Sequence, residues 1–203
     1  GEAIRTAAPN AVVIVVTNPL DEMTTEMLRA TGFSREKVLG MAGTLDSSRF
    51  RHALAKSAGV PPTDVQAFTL GSHGDEMAPI QSHARIRGRR LDRFLSPDQV
   101  DACVTDAITG GGQVVAIKKS GSATIAPAHA TLELIDHIRG ARTGPVPVSV
   151  LLKGEFGIDG IVLGVPAHLG KQGLVEVAEI RLTAAELASL QAAADAIRTR
   201  LGL

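Results

Sequence analysis

Residues Asn10 to Thr17 read NAVVIVVT, an unbroken and largely β-branched run that stops at Asn18-Pro19. Such a run fits a strand buried on both faces of a parallel sheet, since strands with one wet face alternate polar and apolar side chains. Leu20 to Ala30 then carries Met23, Met27 and Ala30 at helical spacing, Gly32 stops the helix, and Lys37 to Met41 predicts a second strand. Strand, helix and strand in that order restrict the start of the chain to a parallel crossover unit, because parallel neighbours cannot be joined by a tight turn. Thr44 is placed to cap the next helix, which shows Phe50, Ala53, Leu54 and Ala58 on one face and ends at Gly59 and Pro61-Pro62.

From Asp64 the pattern becomes antiparallel: VQAFTLGSHG is followed by IQSHARIRGRRL, with Gly88 at a hairpin tip. Ser96-Pro97 starts a helix to about Thr109. Gly110-Gly111-Gly112 predicts a break before a second segment, Gln113 to Lys119, since each glycine costs about 1 kcal/mol in a helix interior. A helix after Pro127 and a three-stranded meander beginning at Pro147 follow. Thr183 and Glu186 form a capping box for the last helix, whose face of Leu187, Leu190, Ala194, Ile197 and Leu201 is read as packing on its own sheet rather than as a subunit seam. The fold class expected is α/β, with a piece of parallel sheet in residues 1–43 and a larger α+β body in residues 44–203.

Composition narrows the partners. Lys+Arg and Asp+Glu are 21 each, and the 203 residues hold five Phe and no Tyr or Trp, so neither a polyanion-binding surface nor a base-stacking platform is expected. Arg85, Arg87, Arg89, Arg90 and Arg93 read as a solvated hairpin rather than a phosphate strip. Cys103 is the only cysteine, which points to a reducing compartment. The longest apolar run, Ala11 to Val16, is far short of the roughly 20 residues that span a bilayer. No membrane association or export signal is expected. The signatures G-x-x-x-x-G-K-[ST], H-E-x-x-H, G-x-S-x-G and G-x-G-x-x-G are absent, and no two of the six histidines stand at metal-pair spacing on a helix.

Four residues invite a chemical reading beside a plainer one. His73, in Leu70-Gly71-Ser72-His73-Gly74-Asp75-Glu76, suits an acid–base imidazole that a substrate can approach closely, or simply a polar turn. Asp46 and Arg49 share one helical face. Asp46 either complements the helix dipole or orients His73 and raises its pKa, and Arg49 is either a surface ion-pair partner or a planar fork for a carboxylate. Asn18, at the carboxyl end of the first strand, is a turn residue or an amide facing a ligand.

Taken in order, VVIVVTNPLDEM, GMAGTLDSSRFR, LGSHGDEMAP, KSGSATIAPA and the tail LLKGEFGIDGIVLGVPAHLGKQGLVEV resemble the malate and lactate dehydrogenase superfamily over nearly the whole length. The resemblance implies the carboxyl-terminal part of a Rossmann-type NAD-binding domain in residues 1–43, followed by the family's α+β catalytic domain. It implies His73 as the proton acceptor, Asp46 as its carboxylate partner, and Arg49 as the clamp on the substrate carboxylate. Asn18 would contact substrate and cofactor, Val16 and Thr17 the cofactor NAD, and Ser122 and Ala123 would line the substrate pocket.

GSHGDEMAP and GMAGTLDSSRF, with Ser72 rather than Glu before the histidine, resemble the malate-specific branch. The implied partners are malate and oxaloacetate, the implied assembly a homodimer or homotetramer, and the implied compartment the cytoplasm. The alternatives are a lactate or other 2-hydroxyacid dehydrogenase, or a non-catalytic truncated descendant. The chain is expected to be the carboxyl-terminal part of a longer dehydrogenase, without its glycine-rich phosphate turn. Alone it is expected to bind NADH weakly and to be inactive.

Overall fold

A computed structural model describes residues 1–74, 76–119 and 123–203. The first half contains α1 (Glu2–Ala7), β1 (Val13–Val15), α2 (Leu20–Thr31), β2 (Val38–Gly40), α3 (Gly43–Ala58), β3 (Val65–Gly71), β4 (Met77–Ile86) and β5 (Arg89–Arg90). The second contains α4 (Pro97–Lys118), α5 (Ile125–Ile138), β6 (Val146–Lys153), β7 (Asp159–Gly170), β8 (Gly173–Val177) and α6 (Ala184–Leu201). The strands form one eight-stranded sheet in the order β1-β2-β6-β7-β3-β4-β5, with β8 paired to β7. Among the described residues, only β1 and β2 pair in parallel.

The expected crossover unit is present, but β1 keeps only Val13–Val15 of the run Asn10 to Thr17, and of these only Val15 is buried. Its place at the end of the sheet, with β2 as its one neighbour, explains why a fully apolar run is not covered on both faces. Helix α2 also turns differently from its apolar stripe. Met23 is 37% exposed, whereas the buried face is Leu20, Asp21, Thr24, Thr25 and Thr31. The three threonines can be buried because each hydroxyl donates to the carbonyl one turn back: Leu20 at 2.8 Å, Asp21 at 2.9 Å and Met27 at 2.7 Å.

Thr44 does not cap α3. The helix begins at Gly43, with Ala42 as its capping residue, and leaves the Thr44 hydroxyl buried and unbonded. A Cβ on Gly43 would lie 2.6 Å from Pro147 Cβ, so the glycine lets the helix start directly on β6. The predicted break in α4 is also absent: the helix continues through Gly110-Gly111-Gly112 to Lys118.

The β4–β5 hairpin turns through Arg87 and Gly88, both at positive φ, as a two-residue turn of this twist requires. The capping box at Thr183 and Glu186 forms as expected. Glu186 additionally accepts from the Ser82 backbone at 3.0 Å and its hydroxyl at 2.7 Å, pinning the start of α6 to β4. Leu190, Ala194 and Ile197 are buried with β6, β7 and α5 in the main core, so α6 packs on its own sheet. A second core lies between α3, β3, β4 and α4, and a small third one holds α2 against β1 and β2.

Candidate active site

Strand β3 delivers His73. Its last residue, Gly71, has φ +88°, and a Cβ there would stand 2.9 Å from the Glu76 carbonyl. Opposite it on β7, a Cβ on Gly164 would lie only 2.6 Å from the Gly71 carbonyl oxygen. Two bare backbones therefore meet where the chain leaves the sheet, and the next turn projects the histidine. Ser47 of α3 accepts the Thr69 backbone N–H at 2.8 Å, which fixes that helix to the same strand.

The first turn of α3 presents Asp46, 2% exposed, to this turn. Its two oxygens hold different partners: Oδ2 is 2.8 Å from His73 Nδ1 and Oδ1 is 2.9 Å from Arg49 Nη1. A carboxylate can only accept, so the neutral ring carries its proton on Nδ1 and leaves Nε2 as a base. Burial opposes charge on His73, but the hydrogen bond and charge of Asp46, with the charge of Asp21, outweigh burial and the opposing charge of Arg49. The imidazole consequently titrates above its ordinary value.

Arg49 is largely covered, with 20% of its side chain exposed, and commits only part of its donor fork to Asp46. The cover comes from the unbroken α4. A Cβ on Gly110 would be 3.5 Å from Arg49 Cδ, and one on Gly111 would be 3.4 Å from Nη1. Gly110 and Gly111 thus lay bare backbone beside the guanidinium, where a Cβ would just make contact, while Gly112 faces open space.

Arg200 of α6 joins two further segments to the histidine turn. It donates to Glu22 of α2 at 2.6 Å, to Glu76 at 3.0 Å and to the Ser72 hydroxyl at 3.3 Å.

Of the residues singled out in the sequence, His73, Asp46 and Arg49 are brought together. Val16, Thr17 and Asn18 form an exposed segment at the carboxyl end of β1, with Val16 44% exposed and no hydrogen bond to the Asn18 side chain among the described residues. The Asn18–Pro19 bond is cis. Ala123 is half-buried just before α5, and Ser122 lies outside the described residues.

The sequence assigned no place at this site to Asp21, Ser149 or Arg200, and read Gly111 only as part of a helix break. Asp21 is 1% exposed and accepts the His73 backbone N–H at 2.9 Å and the Ser149 hydroxyl at 2.9 Å. An acid at the second position of a helix reads as a dipole partner, and nothing local shows that it faces inward.

The lactate/malate dehydrogenase alpha/beta C-terminal domain model matches residues 43–202. Malate dehydrogenase 1 of Anaeromyxobacter dehalogenans is 41% identical over 195 residues, covering 96% of this chain and 62% of that protein. The chain therefore spans less than two thirds of the length of this curated relative. Malate dehydrogenase of Cryptosporidium parvum superposes with a TM-score of 0.96 at 33% identity, covering 99% of this chain and 66% of that one. Lactate dehydrogenase of the same organism, solved with lactic acid and β-nicotinamide adenine dinucleotide, gives 0.94 at 35% identity, covering 98% and 64%.

Proposed function

The chain belongs to the lactate/malate dehydrogenase family, and from that premise we propose that its site serves the reversible oxidation of (S)-malate to oxaloacetate with NAD as hydride acceptor. The observation that carries the proposal is the single carboxylate of Asp46 holding both His73 and Arg49 in one buried cluster. An imidazole with Nδ1 fixed on a carboxylate offers Nε2 to a substrate hydroxyl. A neighbouring guanidinium with free donors can grip a carboxylate through two parallel bonds.

In malate oxidation His73 takes the hydroxyl proton on Nε2 while the carbinol carbon loses its hydride. The imidazolium so formed rests on Asp46 and later releases its proton to solvent. In the reverse direction the imidazolium protonates the keto oxygen. General acid–base assistance of this kind contributes roughly 10²- to 10⁴-fold. NAD, when bound, supplies the acceptor for the hydride. The exposed Val16, Thr17 and Asn18 suit it: an apolar side chain for a ring face and an unbonded amide stand together at a strand's carboxyl end. Within the substrate pocket, Asn18, Ser122 and Ala123 complete the proposed lining. Ser72 before the histidine, together with Met77 after the acids, supports malate over lactate.

The test is a chimera in which this chain follows the amino-terminal portion of the Anaeromyxobacter dehalogenans enzyme that the match leaves uncovered. Reduction of oxaloacetate by NADH well above that of pyruvate is expected, falling about 10²-fold or more in His73→Asn. Preference for pyruvate would replace malate by lactate chemistry. Unchanged turnover in His73→Asn would remove the histidine from the reaction.

A further inference from the structure

Asp21 is a buried acid that the proposed chemistry does not use. It sits in the first turn of α2, 1% exposed, with one oxygen on the His73 backbone N–H and the other on the fully buried Ser149 hydroxyl of β6, both at 2.9 Å. It thereby ties together three segments distant in sequence: the helix that follows Asn18, the histidine turn and the central sheet. An asparagine could make both bonds, its carbonyl accepting from His73 and its amide donating to Ser149, without burying a charge. Folding alone therefore gives no reason for an acid here, because an ionised carboxylate is costly to take out of water.

We propose that Asp21 is a positioning residue for His73, holding the histidine turn by its backbone and lending the imidazole a second negative charge beside that of Asp46. The inference deepens the reading of His73 as proton acceptor and rests on that reading for its catalytic meaning. Among the described residues, the groups facing the pair are few. From α3, Asp46 favours the imidazolium and Arg49 opposes it, and on α2 itself Glu22 lies beside Asp21, already held by Arg200 of α6. The neutral hydroxyl of Ser149 is what β6 offers.

Burial pushes the Asp21 carboxyl up to about 6, against the pull of the His73 N–H, the Ser149 hydroxyl and the imidazole charge. At neutral pH it is thus ionised, in step with a histidine whose own midpoint lies above its ordinary value.

The experiment is an NMR titration of the His73 ring in the 203-residue chain, comparing wild type with Asp21→Asn and using Asp46→Asn as a reference for the loss of one neighbouring charge. Asp21→Asn preserves shape and both bonds, and is expected to lower the His73 midpoint by about half a pH unit or more, in the same direction as Asp46→Asn. A midpoint within about 0.2 unit of wild type in Asp21→Asn, with Asp46→Asn shifted, would overturn the proposal. This readout needs no turnover, so its failure is separate from that of the dehydrogenase reading, which is decided by His73→Asn in the chimera.

Discussion

His73 Nδ1 and Asp46 Oδ2 stand 2.8 Å apart, with the carboxylate buried and the ring reaching partly into solvent. In the proposed reaction that inside-to-outside ordering leaves Nε2 to face the substrate. Asp46→Asn keeps the shape but can present an amide N–H to Nδ1, favouring the tautomer with its proton on Nε2. Turnover of the chimera in oxaloacetate reduction is expected to fall by about 10²-fold or more, with the alkaline limb of its pH profile, where the imidazolium is lost, moved to lower pH. A drop in turnover with no movement of that limb would mean that Asp46 acts only on Arg49.

Arg49→Lys retains the charge and loses the fork. Oxaloacetate affinity is expected to fall roughly 10- to 100-fold, the scale of a charge-assisted hydrogen bond, while NADH affinity changes little. Steady-state KM values for both ligands, with a thermal melt as control, separate this from a folding defect, which would weaken both.

Gly111 sets helix stability against function. Replacing it with Leu relieves up to about 1 kcal/mol of helix penalty. A Cβ there would only make ordinary contact with Nη1 at 3.4 Å, but the branched carbons beyond it would compete with the guanidinium for the same space. Gly111→Leu is expected to fold while raising the oxaloacetate KM at least about tenfold, as displaced fork geometry would. An unaltered KM would show that Arg49 does not need this space.

The pH dependence of stability carries the mark of Asp21. Its folded value of about 6 lies above the ordinary 3.8, so its stabilising contribution is fully present below about pH 3.8 and is lost as pH rises through about 6. A shift of about two units corresponds to about 3 kcal/mol. His73, also raised, has the same sign, with its contribution present below about pH 6.5 and lost as pH rises through its folded midpoint. Urea unfolding of wild type and Asp21→Asn at pH 4, 5.5 and 7 should show wild type losing ground to the variant as pH rises. A constant difference would show that Asp21 does not titrate in this window.

Much of this was legible in the sequence because the informative residues act locally. The Thr183–Glu186 capping box, the hairpin through Arg87 and Gly88, the crossover around α2 and the Asp46–Arg49 pairing all depend on neighbours a few positions away. What escaped depends on distant packing. The buried face of α2 carries Asp21, which meets β6 and the histidine turn, and threonines whose hydroxyls bond their own helix, so Met23 on the apolar stripe is exposed while Met27 packs only partly on the third core. The three glycines of α4 look like a break until Arg49 is seen lying against two of them. Thr44 resembles a cap, yet the helix starts before it because Gly43 can rest on Pro147.

The bare contact between Gly71 and Gly164 has one more consequence. No reacting group touches Gly164, yet the smallest addition there, a single methyl, would meet the Gly71 carbonyl at 2.6 Å and force the strands apart just where the histidine departs. The region in which a chance mutation can silence this site is therefore wider than the site. It extends across the sheet to a residue that chemistry alone would pass over, and loss of the proposed function there would come from displacement of an intact His73–Asp46–Arg49 cluster.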